Sequence, residues 1–390
     1  MTDQSLPGFA EAHRVQRARY PAAEPGWQPD WQPVHTVYVP ADRVSPSTVA
    51  GWGAQALGLV KEHLSGPDEL AGLFGLPAAP ARDVHERVLR KLAREPIEDL
   101  RIDFEDGYGV RPGDEDGHVE QAVVAVAAMR AAGALPRRWG LRVKSFADGD
   151  PGRSVRTLDG FVTGIVERVG ELPPGFVVTF PKVLMESYLG QFCGFLERLE
   201  RELDVRLRFE IQVEAPQTVL FLRGELAESF GGRLAAAHFG VFDYTAALGL
   251  PPHEQRLDHP ACDHARHVMR TAFAGTGVEL SDGSLAAAPA SGSAEDVYAL
   301  WRRHAELVRH SLGHGFYQGW DMHPAHLVSR FATVYAFHLA RYDSYRDRVR
   351  AWEERRAAGG GVMDEPATIK TLVAALHRAD AALALPGHSG

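Results

Sequence analysis

The chain of 390 residues contains two cysteines, Cys193 and Cys262. Two are too few for a disulfide framework, so a reducing, cytoplasmic setting is expected. No apolar run approaches the roughly 20 residues that span a bilayer. The opening MTDQSLPGFAEAHR lacks the charged-then-apolar pattern of a signal segment. No membrane partner is expected. Dense Lys/Arg blocks are also missing, and the formal net charge is −9 with a pI near 6.1. Nucleic acid is therefore not an expected partner, although one arginine in a cleft can still hold a small anion. No GxGxxG, Walker A or GxSxG stretch occurs, which removes the main support for a dinucleotide-binding dehydrogenase, a P-loop enzyme or a serine hydrolase. HExxH and CxxC are absent too. The 18 histidines are scattered. His253, His259, His264 and His267 fall close together, but the i,i+3 pair His264/His267 has no third ligand beside it in the sequence, so zinc is not expected.

What the chain does contain is a repeat of strand and helix. With 45% hydrophobic and 24% charged residues it is a globular sequence. Residues 1–33, rich in proline and tryptophan (Pro21, Pro25, Trp27, Pro29, Trp31, Pro33), read as an irregular arm. Strands are expected at 34–40, 99–106, 139–146, 175–183, 207–217, in the apolar first half of 234–249, at 277–283 and at 316–324. A helix follows each, and a Pro/Gly-rich insertion covers 66–82. Strand ends recur every ~30–40 residues, the size of a βαβ unit. Eight such units predict an α/β fold of the (β/α)₈ TIM-barrel type over 34–340. A doubly wound sheet would want a glycine-rich loop after its first strand, and VYVPADRVSP has none. Residues 341–390 read as a helical extension, with a glycine hinge at Gly359–Gly361 and a last helix capped by Asp364. Such a tail suits a lid or a subunit contact.

The stretch LRFEIQVEAPQ, 207–217, alternates Phe209, Ile211 and Val213 with Glu210, Gln212 and Glu214, so a strand delivers Glu214 at its C-terminal end. One βα unit later, LAAAHFGVFDYTAALG presents Asp243. In a parallel barrel these ends share one face. Two carboxylates around a common point repel each other unless a cation lies between them, and one or two carboxylates with waters and substrate oxygens is how Mg²⁺ is usually held. The expected cofactor is Mg²⁺, with Mn²⁺ as the alternative. In DFEDGYG, Asp103 reads as a turn cap. Glu105 and Asp106 reach the same face, where they would orient metal-bound water or hold an arginine. Arg142, in an otherwise apolar strand, has two readings: a bidentate grip on a substrate carboxylate, or a structural bridge to Glu105 or Asp106. Lys182 is either a Schiff-base lysine or an electrostatic support for the metal carboxylates; the second is preferred, since a metal site makes an imine unnecessary. His323 reads as a packing residue.

VYVPADR, RIDFEDGYG, LRVKSF, TFPKV, IQVEAPQ, HFGVFDYTAALG and GWDMHP occur in the order seen in the citrate lyase β-subunit-like family, and over 34–330 the chain resembles that family. It belongs to the phosphoenolpyruvate/pyruvate-binding barrel superfamily, with malyl-CoA lyases and 2-oxo-acid aldolases as relatives. The resemblance implies a metal-dependent carbon–carbon lyase or aldolase. Glu214 and Asp243 would be the Mg²⁺ ligands and Arg142 the carboxylate-binding residue. Glu105 and Asp106 would complete the acidic rim. Asp364 would resemble the lid carboxylate that comes from a neighbouring subunit, so a homo-oligomer is expected. The partner would be a small 2-oxo acid or an acyl-CoA. Ala215–Pro216 and Lys144 depart from the family pattern, and no basic cluster for a CoA pyrophosphate is evident. A malate-synthase-like condensation of an acyl-CoA with glyoxylate, and a non-catalytic barrel, are the alternatives.

Overall fold

The computed structural model describes residues 6–23, 31–76, 78–354 and 364–384. Its strands are β1 (His35–Pro40), β2 (Asp99–Asp103), β3 (Arg138–Arg142), β4 (Phe176–Phe180), β5 (Phe209–Val213), β6 (Leu234–Phe239), β7 (Glu279–Ser284) and β8 (Gln318–Asp321). They pair in parallel and in chain order, and β8 returns to β1 to close the barrel. This is the expected (β/α)₈ architecture.

Side chains alternate across each strand. Val37, Val39, Leu100, Ile102, Leu141, Val178, Phe180, Phe209, Ile211 and Val213 are buried in the hydrophobic core. The alternate positions hold a buried polar set. Arg101 donates to Glu210 at 2.9 Å and also pairs with Asp99. Thr36 donates to Asp99 at 3.0 Å, and Gln318 donates to Thr36 at 2.8 Å. Branched aliphatic residues usually fill a barrel of this kind. Here ion pairs and hydrogen bonds do, which is why LRFEIQVE reads as alternating rather than as a continuous apolar run.

The helices clothe the outside. After α1 (Phe9–Arg19) come α2 (Thr48–His63), α3 (Pro67–Phe74), α4 (Ala78–Arg94), α5 (Glu115–Ala131), α6 (Pro151–Val169) and α7 (Glu186–Leu203). They are followed by α8 (Pro216–Phe221), α9 (Glu225–Ser229), α10 (Val241–Ala247), α11 (Pro260–Phe273), α12 (Ala294–Gly313), α13 (Pro324–Glu353) and α14 (Pro366–Leu383). Among the described residues no helix is long and apolar enough to cross a membrane.

Two expectations need correction. The arm is not irregular throughout: α1 forms, and Arg19 at its end pairs with Glu225 and Glu228 of α9 at 2.8 and 3.1 Å. The 66–82 insertion is largely helical, because Pro67 sits at the first helical position, where a missing N–H costs nothing.

The C-terminal extension also differs. The chain leaves β8 into α13, one continuous helix of 30 residues, about 45 Å long. The expected hinge Gly359–Gly361 lies outside the described residues. Beyond it α14 packs back on α13, with Tyr342 donating to Asp380 at 2.6 Å. Asp364 does not cap this helix. Pro366 occupies its first turn, which makes Glu365 the N-cap residue, and Asp364 instead receives the Arg348 guanidinium of α13.

Candidate active site at the C-terminal mouth of the barrel

The site is built from the turns that follow β2 to β6. At the end of β2, Asp103 is saturated. Each of its oxygens takes one backbone N–H, from Glu105 and from Gly107, both at 2.9 Å. Each also takes one guanidinium N–H of Arg142, Nε and Nη2, both at 2.7 Å. The turn is so tight that a Cβ at Gly107 would lie 2.5 Å from Asp103 Oδ2. Asp103 is thus more than the turn cap expected of it, and it takes one full edge of Arg142. The bridge foreseen to Glu105 or Asp106 goes mainly to Asp103; Glu105 Oε2 lies 3.4 Å from Nη1. Nη1 also reaches Gln212 at 3.4 Å. Tyr38 and Trp320 close over the guanidinium at 5.0 and 5.3 Å. Burial works against the charge of Arg142, but Asp103 outweighs it and holds the guanidinium firmly protonated.

Lys182 follows β4 in a left-handed conformation, φ 47°, a strained position for a residue with a Cβ. The turn it makes has two consequences. Its backbone N–H donates to Glu214 Oε1 at 2.7 Å, and its ammonium reaches Glu105 at 2.5 Å and Asp106 at 2.7 Å. Partial burial opposes the ammonium charge, yet Glu105 and Asp106 raise its pKa above the ordinary lysine value. A lysine held protonated is a poor imine nucleophile, which favours the supporting role. Burial raises Glu105, with Asp106 adding to the rise. Asp106 is lowered: its hydrogen bond and charge contact with Lys182 outweigh its desolvation.

Glu214 stands just past β5, almost wholly buried. Its neighbour Gly240, at the end of β6, has no room for a side chain: a Cβ there would lie 2.5 Å from Glu214 Oε2. Burial first, and then the charges of Glu105 and Asp243, push the Glu214 carboxyl up to about 8. Asp243 lies in the first turn of α10, on the exposed rim. Partial desolvation, with Asp106 repelling, raises its pKa as well. The two carboxylates therefore face the same mouth from successive βα turns.

The donor set fits a hard divalent ion. Arg142 is committed to Asp103, and Lys182 to Glu105 and Asp106. Among the described residues, Glu214 and Asp243 have no ion-pair partner, and Glu214 is strongly disfavoured as an anion. Oxygen donors of this kind suit Mg²⁺ or Mn²⁺ rather than a softer metal. Among the described residues, the three-residue groups close enough to share one ion are Asp263/His310/His314 and His304/Asp321/His326. Neither group includes Glu214 or Asp243, so these two carboxylates would leave the other positions of an ion to water and substrate.

Two residues that shape the site were not foreseen in that role. Lys144 donates to the Phe104 and Gly109 carbonyls, both at 2.8 Å, and so clamps the turn that carries Glu105 and Asp106. Gln212 was legible as an inward position of its strand, but its contact with Arg142 crosses the barrel. A cleft of about 720 Å³ lined by Trp31, Arg137, Arg138 and Arg206 opens at the opposite end. Size does not make it the reaction site: Arg138 is neutralised by Glu279, and Arg137 stacks on Trp31 at 3.9 Å. Asp364 is also remote, since Arg348 lies about 36 Å along α13 from the end of β8.

The model of the family described as "Domain of unknown function (DUF6986)" matches residues 10–387, and the chain belongs to that family. No curated protein matches the sequence. Among solved structures, a citrate lyase from Burkholderia xenovorans LB400 superposes with a TM-score of 0.63 at 18% identity, over 94% of this chain and 97% of that one. Malate synthase of Haloferax volcanii superposes with a TM-score of 0.52 at 15% identity, over 84% and 88%. Its pyruvate/acetyl-CoA ternary complex gives 0.51 at 16% identity, over 89% of each chain. At these identities the likeness concerns the fold.

Proposed function

We propose that this DUF6986 chain is a metal-dependent carbon–carbon lyase or aldolase acting on a 2-oxo acid, with Glu214 and Asp243 holding Mg²⁺ at the barrel mouth. The observation that carries the reading is the charge balance there. Asp103, Glu105 and Asp106 at the mouth each have a cationic partner, and among the described residues Glu214 and Asp243 have none. Bound there, the ion would supply a Lewis acid that stabilises enolate charge.

The remaining chemistry belongs to the chain. Glu214 must give up the proton that its burial favours before it can bind a cation, so metal affinity rises with pH up to about 8. Lys182 opposes the burial that raises Glu105, favours the charge of Asp106, and holds both in place at the rim, where they would orient water. Arg142, with one edge fixed by Asp103, offers its Nη1 side to a substrate carboxylate. Asp364 enters only across a subunit boundary, in a homo-oligomer, because in its own chain Arg348 holds it far from the mouth.

A malate-synthase-like condensation would use the same mouth, and the likeness to malate synthase keeps it as the second reading. Exchange of the methyl protons of pyruvate into D₂O, followed by NMR, tests enolate formation without knowledge of the full substrate. Exchange is expected with Mg²⁺ and is expected to vanish in Glu214→Gln and Asp243→Asn. Exchange that is indifferent to Mg²⁺ and to both substitutions would refute the proposal. Product formed from acetyl-CoA and glyoxylate would favour the second reading.

A further inference from the structure

A second group of potential ligands lies on the outer wall of the barrel, away from the mouth. In the sequence, Asp263 and His267 are one helical turn apart, and so are His310 and His314, some forty residues on. The fold sets α11 beside the end of α12, and the two pairs meet. His310 Nε2 lies 2.8 Å from Asp263 Oδ1, and His314 Nε2 lies 3.5 Å from the same oxygen. The rings of His310 and His314 are 4.4 Å apart, and His267 stacks on His314 at 5.5 Å.

We propose that Asp263, His310 and His314 form a binding site for a zinc-class divalent transition-metal ion between α11 and α12. One ligand atom from each residue falls within 4.8 Å of the other two. Tetrahedral zinc with bonds of about 2.0–2.1 Å separates its ligands by about 3.3 Å, so the observed spacings need little adjustment. The orientation of His314 supports the assignment. Its Nδ1 lies 2.9 Å from the His310 carbonyl, which ties up that nitrogen and leaves Nε2 for a metal. His310 and His314 also stand at the C-terminal end of a 20-residue helix, where the dipole favours a cation.

All three residues are half-buried, so an ion has access. Two arginines lie nearby. Arg266 pairs with Asp263 Oδ1 at 2.6 Å but is also anchored by Asp282 at 2.9 Å and by the Leu257 carbonyl, so it keeps partners when Asp263 turns to a metal. Arg270 is directed to the Gly315 carbonyl. The mixed nitrogen and oxygen set favours zinc, nickel or copper over magnesium. His314 precedes β8 by four residues and therefore sits toward the N-terminal end of the barrel, so this site is independent of the proposed lyase centre.

The test is calorimetric titration of ZnCl₂ into the full chain carrying Glu214→Gln, which removes the mouth as a competing site. One Zn²⁺ per chain is expected to bind in the presence of excess Mg²⁺. Adding His310→Gln with His314→Gln is expected to weaken it by more than about tenfold, with unchanged circular dichroism. If that combination folds poorly, Asp263→Asn carries the same expectation. Equal zinc affinity with and without these substitutions, or no binding at millimolar Zn²⁺, would overturn the proposal.

Discussion

Replacing Glu214 by glutamine should make the metal-free protein more stable, not less. In the unfolded chain the Glu214 carboxyl titrates near 4.5; in the barrel it is pushed up to about 8. Between those values the unfolded state has lost a proton that the folded state keeps. The folded state binds more protons there, so folding stability falls as pH rises through the window and levels off above its upper end. Each pKa unit corresponds to about 1.4 kcal/mol. The loss therefore amounts to about 3 kcal/mol near neutrality and about 5 kcal/mol above pH 8, a large share of the roughly 5–15 kcal/mol by which domains are stable. The glutamine side chain would keep the shape and can still accept the Lys182 N–H through its carbonyl oxygen, but it has no proton to lose. Urea unfolding of parent and Glu214→Gln in chelator, from pH 5 to 9, measures the difference. The curves should nearly coincide at pH 5 and diverge in favour of the variant as pH rises. Glu105 and Asp243 are raised in both proteins and largely cancel in the comparison. Added Mg²⁺ should restore the parent and leave the variant unchanged. Parallel curves across the range would show that Glu214 carries no burial penalty, and the charge-balance argument for a metal would fall with it.

Two further outcomes follow from the same contacts. Asp103→Asn should cost about 3–5 kcal/mol in the same unfolding assay, because it leaves the buried Arg142 guanidinium short of its closest counter-charge; a loss below about 1 kcal/mol would mean that Glu105 and Gln212 suffice. Asp364→Asn keeps the shape of the contact with Arg348 but removes the charge of a nearly buried carboxylate, so it should lower the unfolding midpoint modestly, yet should slow turnover by roughly 10²–10⁴-fold if Asp364 serves a neighbouring barrel as acid or base. Turnover within a few-fold of the parent would leave it as the partner of Arg348 alone.

Much of the site was legible because a parallel barrel sends every strand end to one face. Once 207–217 and 234–249 are read as strand-to-helix junctions, Glu214 and Asp243 must meet, and DFEDGYG and TFPKV must join them. Local patterns also carried the eight strands. They failed for the arm and for 66–82, where tryptophan, proline and glycine were read as breakers although Pro67 opens a helix. Asp364 was misplaced by one residue at a helix start, and the cation that claims its carboxylate is sixteen residues earlier in the chain.

The sequence by itself determined the order of βα units and the face on which the carboxylates lie. Those depend on periodicity and composition, which act over a few residues. Only the tertiary structure decided which charge neutralises which. Asp103 lies 39 residues from Arg142, and Lys182 lies 77 residues from Glu105. His310 lies 47 residues from Asp263. Such pairings depend on strand register and helix packing, and Coulomb attraction falls off with distance in space rather than along the chain. The fold pairs Arg142 and Lys182 with Asp103, Glu105 and Asp106, and among the described residues it leaves Glu214 and Asp243, the two carboxylates that the sequence singled out, without an ion-pair partner.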